Sequence, residues 1–425
     1  MLPAPPPTSL RGNRDFQVVL VGQTVSAFGD AISLTAMPLL VLFLTGSGAL
    51  MGIIGALQLL PDLVLGLPAG ALADRWDRRR MMMWADAGRA VLTAAIPLSF
   101  WLGLSTTVVI VIVAVPINVL RVLWAAGFTS VVPNLVGREE LGRANSYLEA
   151  AFSGGFIVGP AIAGILAATI GPAPTLAIDA ASFVVSALSL SLVRRPLRAE
   201  RSGETMHILT DIREGIRFVW RRVMLRMLIV YWGITTIATA ALIPALSYYI
   251  TIDRDLGSEI FGFVGSVWSI GYLIGALFAG RMGSERVGLR MLLAGAMIGA
   301  LLVAIAATAA SPVYLAAAFL IGVALSIVFV SYVTVRASLT PDEMLGRVGG
   351  TARTMTVGLQ PLGLLAGGTV IEAADGGAAI ALMGAISIVA SLLFGLSRSF
   401  REVGILTPDK EGAGDQLEGL GGDVG

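Results

Sequence analysis

Uncharged apolar runs of roughly 20 residues, separated by short charged or Gly/Pro-rich breaks, recur along nearly the whole chain. A helix needs about 20 such residues to cross ~30 Å of hydrocarbon, so each run reads as a membrane-spanning helix. The breaks delimit spans near residues 16–45, 50–73, 81–104, 107–132, 146–169 and 173–193, then 224–250, 259–281, 289–309, 312–335, 349–371 and 376–397. An outer-membrane barrel is excluded, because its strands alternate over about ten residues and these runs are continuous and much longer. The expected fold is all-α and integral to the membrane, with twelve transmembrane helices.

The charged breaks orient those spans. After span 2, Asp74, Arg75, Asp77 and Arg78 to Arg80 crowd six charges into seven residues. Short cytoplasmic loops retain Lys and Arg, and the loops after spans 2, 4, 6, 8 and 10 carry Arg75, Arg138, Arg143, Arg194, Arg286 and Arg347 among others, against Arg254 alone on the opposite side. Both termini are therefore expected in the cytoplasm of a bacterial cell, with the chain multi-pass in the inner membrane. The expected organisation is a cytoplasmic tail at 1–15, a six-helix half at 16–193, a linker at 194–223, a second six-helix half at 224–397 and a disordered tail at 398–425. In the linker, Ile208, Ile212, Ile216 and Val219 follow helical spacing beside a row of Arg213, Arg217 and Arg221, which predicts a basic amphipathic helix on the inner membrane surface.

The two halves repeat. Leu141-Gly142-Arg143 recurs as Leu345-Gly346-Arg347, and Gly154, Gly159 and Gly164 recur at the same shift as Gly358, Gly363 and Gly368. Two six-helix halves in parallel repeat are the architecture in which substrate binds between the halves near mid-membrane.

Composition narrows the chemistry. The chain is 56% hydrophobic and 13% charged, with 51 glycines in 425 residues, which suits a polytopic helical protein. It has no cysteine and a single histidine, His207, in a loop. No thiolate nucleophile, cysteine metal site or disulfide follows, and no metal or other cofactor is expected. The sole lysine, Lys410, lies in the tail, so the phosphate-binding loop of an ATP-driven pump is missing. Nothing points to nucleic acid.

Twelve spans, two repeated halves, a long middle loop and the hairpin Gly70-x-x-x-Asp74-Arg75-x-x-Arg78-Arg79 resemble the major facilitator superfamily, and its macrolide-efflux and enterobactin-exporter-like branch in particular. Asp77 stands where the family pattern has a second glycine. The resemblance implies that Gly70, Asp74, Arg75, Arg78 and Arg79 form a cytoplasmic latch between the halves, with Arg353 at the start of span 11 as a partner for Asp74. Gly155-x-x-x-Gly159-Pro160-x-x-Ala163-Gly164 in span 5 resembles the family's antiporter motif, which implies export by exchange. The bare residues add that small side chains let helices approach closely and that Pro160 removes a backbone hydrogen bond.

Charges inside spans are functional candidates by default, because an aspartate at mid-helix costs roughly 2.5–3.5 kcal/mol on insertion scales. Asp30 in span 1, Asp62 in span 2 and Arg121 in span 4 all lie close to mid-membrane. An acid within about 4 Å of Arg121, at an effective dielectric near 20, gains ~4 kcal/mol; its protonation then depends on whether the conformation keeps the arginine in reach. Asp30 is expected to carry a proton with Arg121 as its switched partner, and Asp62 to share the proton or meet a cationic substrate. Asp86 and Arg89, a turn apart, read as a local pair, and Asp179 as an outer-third residue hydrated from outside. Tyr231, Trp232, Trp268, Tyr272 and Tyr332 are candidate cavity aromatics; Gln58, Trp268, Tyr272 and Gln360 are the expected cavity set. The leading reading is a monomeric secondary transporter that exports drugs or a bulky secreted metabolite against protons. An uptake permease or facilitator of the same fold is the runner-up, and an intramembrane aspartyl enzyme a third reading.

Overall fold

A computed structural model describes residues 9–194 and 208–404, without the side chains of 66–75, 129, 130, 138 and 208–212. The expectations for 1–8, 195–207 and 405–425 lie outside the described residues. The first half comprises α1 (Arg14–Thr45), α2 (Gly48–Arg75), α3 (Arg78–Trp101), α4 (Thr106–Leu135), α5 (Leu141–Thr169) and α6 (Pro172–Leu192). A linker helix, α7 (Ile208–Arg221), leads to α8 (Val223–Ala238), α9 (Leu242–Tyr248), α10 (Ser258–Ala279), α11 (Val287–Ala306), α12 (Ser311–Ser338), α13 (Leu345–Val357), α14 (Gln360–Ala373), α15 (Gly376–Gly395) and α16 (Arg398–Glu402). No strand occurs among the described residues.

Among the described residues, eleven helical segments are long and apolar enough to cross a membrane. The twelfth, α3, has 24 residues, about 36 Å at 1.5 Å per residue, but Arg78, Arg79, Arg80, Asp86 and Arg89 make it polar along much of its length. Two spans are discontinuous. α8 stops at Ala238 and the chain resumes as α9 and a single π-helical turn, Tyr249–Asp253. Span 11 breaks between α13 and α14, where Pro361 has no N–H to offer the Val357 carbonyl.

The repeat is visible in the packing. α1 packs on α5 and α6, α2 on α4, and α3 on α4 and α6; in the second half α10 packs on α12, and α11 on α12 and α15. Leu141 and Leu345 each begin a helix directly after a 3-10 turn, Arg138–Glu140 and Asp342–Met344. Two of the three rungs of the glycine ladders have matching jobs, whereas Gly154 meets nothing within 4 Å and its counterpart Gly358 lies on Leu63. Gly159 lies on Ala31 of α1 and Gly363 on Ile237 of α8, while Gly164 lies on Gly262 of α10 and Gly368 on Gly52 of α2. The cross-half seams are thus α5 with α10 and α14 with α2, formed where no Cβ would fit.

The outer edges of both predicted tails are structured. Leu10 is buried, and Asn13 accepts from the Phe16 N–H at 3.1 Å while its Nδ2 donates to the Leu135 carbonyl at 2.7 Å. At the other end, Phe400 of α16 is buried against Tyr231 and Phe394. In α7, Val219 and Gly215 are buried and Ile216 is exposed. A Cβ on Gly215 would meet Thr351 and Arg347 of α13, and Glu214 pairs with Arg347 at 2.6 Å, so this helix docks on the start of span 11.

Candidate substrate cavity and ion-pair sites

The buried apolar side chains of the first half fall into two separate clusters. One gathers Phe16, Met82, Leu135 and Leu190; the other gathers Leu40, Met51, Ile96 and Leu176. Between them along α1, α3 and α6 lies a polar layer: Gln23, Ser26, Asp30, Asp86, Arg89, Asp179, Ser182 and Ser186. This layer borders a cavity of about 730 Å³ lined mainly by α1, α2 and α4, with Ala240, Ile243 and Pro244 near the first helix break and Val357, Gln360 and Leu364 around the second. The released backbone of two broken helices therefore faces the cavity, the arrangement expected where irregular backbone lines a membrane-buried site.

Asp30, Asp62 and Arg121 all line this cavity, but the pairing differs from the one the sequence suggested. Arg121 bonds Asp62 through a terminal nitrogen, and its Nε donates to Asn118 at 3.1 Å. Asp30 pairs instead with Arg89 at 2.6 Å. The reason is packing: α4 lies chiefly against α2 and α3, whereas α1 and α3 both pack on α6, where Arg89 of α3 meets Asp30 of α1. Arg89 also keeps the local contact with Asp86 at 3.7 Å, and its guanidinium lies 3.8 Å from the Phe183 ring centroid. Asp86 is fully buried and accepts from Ser186 at 2.6 Å and from the Trp124 indole at 3.1 Å. Asp179 is not hydrated from outside: it is 3% exposed and bonded by Ser33 and Ser182.

The aromatic wall also moves to the other half. Trp124, Phe152, Phe156 and Phe183 line the cavity, together with Gln58 and Gln360. Trp268 and Tyr272 do not; their rings, 5.5 Å apart, pack within α10, which is held by α5 on one side and α12 on the other. Tyr231 is core, bonded to the Met291 carbonyl and Ser391, and Trp232 stacks on Tyr332. The i, i+4 spacing of Phe152 and Phe156 was the available sequence signal for the true lining.

Of the proposed latch, Gly70, Asp74 and Arg75 lie outside the described side chains. Arg79 does not bridge the halves: it donates to the Leu190 carbonyl at 2.8 Å and to the Ser191 carbonyl, capping the C-terminus of α6. Arg78 is buried within the first half. Asp77 caps α3 by accepting from the Arg80 N–H at 3.1 Å, which is what an acid at this position offers in place of glycine. Arg353 reaches Asp62, 3.9 Å away, across the halves. In the antiporter-like segment, Gly155 and Gly159 lie on Ala27 and Ala31 of α1, while Pro160 and Gly164 face Gly262 of α10; Ser266 accepts from the Ala161 N–H at 3.0 Å.

Residues 8–409 match the transmembrane secretion effector family. The chain belongs to that family of major facilitator transporters. It is 32% identical over 371 residues to the multidrug efflux pump Tap of Mycolicibacterium fortuitum, covering 84% of this chain and 89% of that one. It is 26% identical over 275 residues to macrolide efflux protein A of Streptococcus pyogenes, covering 63% and 67%. Solved structures share the fold at low identity. The nucleoside transporter NupG superposes with a TM-score of 0.74 at 14% identity, covering 90% of this chain and 98% of that one. A bacterial homologue of ferroportin in the inward-facing state gives 0.71 at 18%, covering 92% and 99%. The family is one of transporters, not enzymes, and both relatives named above are efflux proteins.

Proposed function

We propose that this transporter exports a bulky amphipathic small molecule, a drug or a secreted metabolite, in exchange for protons. The observation that carries the reading is the cavity of about 730 Å³ holding two ion pairs, Asp30 with Arg89 and Asp62 with Arg121, beside an aromatic wall. The arginine distribution supports a cytoplasmic position for both termini in a bacterial cell. On that orientation, the seams of α2 with α14 and α5 with α10 close the outer end, and the cavity takes up substrate from the inner side. Asp62 supports a cationic substrate group, because a ligand ammonium can replace Arg121 on it without leaving a carboxylate unpaired. The chain is taken to work as a monomer.

The test uses energised everted vesicles carrying wild type or Asp30→Asn, with the pH gradient followed while macrolides, organic cations and siderophores are added. Substrate-induced dissipation in wild type and its loss in the variant are expected. A gradient that no compound disturbs, with the protein verified in the membrane, would remove proton exchange from the reading.

A further inference from the structure

Asp179 is the one acid of the polar layer that no arginine holds. Among the described residues, no basic nitrogen lies within 4 Å of it. The charges facing it are Asp30 from α1 and Arg89 from α3, with Asp86 of α3 on the same arginine; α5, also packed on α6, carries only Arg143 and Glu149 as charged residues, both towards its inner end. Arg89 is already committed to Asp30 and Asp86. Three carboxyl groups thus share one guanidinium, two of them, Asp86 and Asp179, almost wholly buried and Asp30 open to the cavity. Ionising all of them would leave unpaired buried charge, which the low dielectric penalises heavily.

The hydrogen bonds around Asp179 count the same way. Ser182 Oγ lies 2.8 Å from the Asp179 carbonyl oxygen and 3.2 Å from Oδ1. A hydroxyl has one hydrogen to give, and the shorter bond to the backbone takes it. An ionised carboxyl would leave Oδ1 only a share of that single hydrogen, whereas a protonated one donates to the Ser182 oxygen and satisfies the contact fully. Ser33 of α1 serves the other oxygen, Oδ2, as a donor. The site is shaped for this group: Gly29 leaves room that a Cβ would fill against Ser182 and Asp179. Asp179 also borders the cavity, so a proton reaches it from cavity water.

We propose that Asp179, and not the arginine-paired Asp30, binds the coupling proton in this conformation. It takes the proton from hydronium in the cavity, leaving water, and holds it as a neutral carboxyl whose O–H donates to Ser182 while Ser33 donates to the other oxygen. The proposal rests on proton-coupled export.

Two measurements test it on the full chain. Infrared difference spectra of protein in liposomes, taken across a pH titration, report neutral carboxyl groups by their carbonyl stretch. The expected result is a neutral-carboxyl band at neutral pH in wild type that is lost in Asp179→Asn, kept in Asp30→Asn and shifted in Ser182→Ala. A band that survives in Asp179→Asn and disappears in Asp30→Asn overturns the proposal. In everted vesicles, Asp179→Asn is expected to abolish substrate-induced dissipation of the pH gradient. Dissipation equal to wild type overturns the assignment of Asp179 and leaves coupled export standing. A wild type that never dissipates the gradient sinks coupled export itself, and with it any coupling role for a neutral Asp179.

Discussion

Arg89 carries more of the site than its place in a polar helix suggested. Its terminal nitrogens serve Asp30 and Asp86, its face rests on Phe183, and its side chain is 4% exposed. Removing it strands two carboxylates. Breaking a buried pair from one side costs about 3–5 kcal/mol, and Arg89→Met belongs near the lower figure because Asp30 is 35% exposed at its side chain. Asp30→Asn should cost less, since Asp86 still holds the arginine. The double variant Arg89→Met, Asp30→Asn should recover part of the loss, because the two residues share one contact. Thermal unfolding of the solubilised protein decides it: equal melting temperatures for Arg89→Met and wild type would show that the pair contributes nothing to folding. Partner choice of this kind was not legible in the sequence. Depth in the membrane follows from counting residues, but the partner depends on helix rotation, and each residue turns the side chain by about 100°. Asp30, Asp62 and Arg121 were readable as charges at similar depth, and Arg89 only as half of a local pair with Asp86; which arginine faced which acid required the packing of α1 and α3 on α6.

Among the elements, the glycine seams set how far the halves approach. Gly164 lies against Gly262, and a Cβ there would come within 2.6 Å of the Ser258 carbonyl oxygen and 3.0 Å of the Gly262 Cα. These are backbone atoms of another helix and cannot swing aside. Gly164→Ala should therefore penalise the closed outer end by about 1–3 kcal/mol, the usual cost of overpacking. Gly154→Ala, which meets nothing within 4 Å, is the matched control. Loss of export in the first variant with normal export in the second is the expected outcome; equal export would show that the seam yields. Helix positions themselves were largely legible, because continuous apolar runs leave few alternatives. The repeat at a common shift also foretold matching roles for two of the three glycine pairs. The breaks in spans 7 and 11 were not, since Pro244 and Pro361 sit in apolar stretches whose hydropathy does not fall. The aromatic wall was sought in the second half because it lacks mid-span charge, yet the second half lines the cavity chiefly near its two breaks.

For the whole molecule, alternating access requires an outer end that closes and reopens, and beside the Ser258 Oγ bond to the Gly164 carbonyl at 3.2 Å a carboxylate contact spans that end. Glu372, at the end of α14, accepts from Ser47 Oγ at 2.9 Å and from the Ala49 N–H at 3.2 Å. A carboxylate of the second half therefore caps α2 of the first, at the helix end where negative charge is favoured. The contact exists only while α2 and α14 are together, so it stabilises the closed outer end relative to the open one. A ligand or contact shifts such an equilibrium only by its preference for one state. Glu372→Gln keeps an acceptor but loses the charge, and Glu372→Ala loses both. The native chain has no cysteine, so Gln58→Cys in the cavity wall supplies a single reporter without a cysteine-free background having to be built. Labelling by a membrane-impermeant maleimide from outside the cell should rise in the order Glu372, Gln, Ala. The same rank order should appear as faster labelling of Gln58→Cys combined with Gly164→Ala, because seam and cap act on one closure. If labelling is the same for all three residues at 372, the cap follows the closure set by the glycine seams and does not help to hold it.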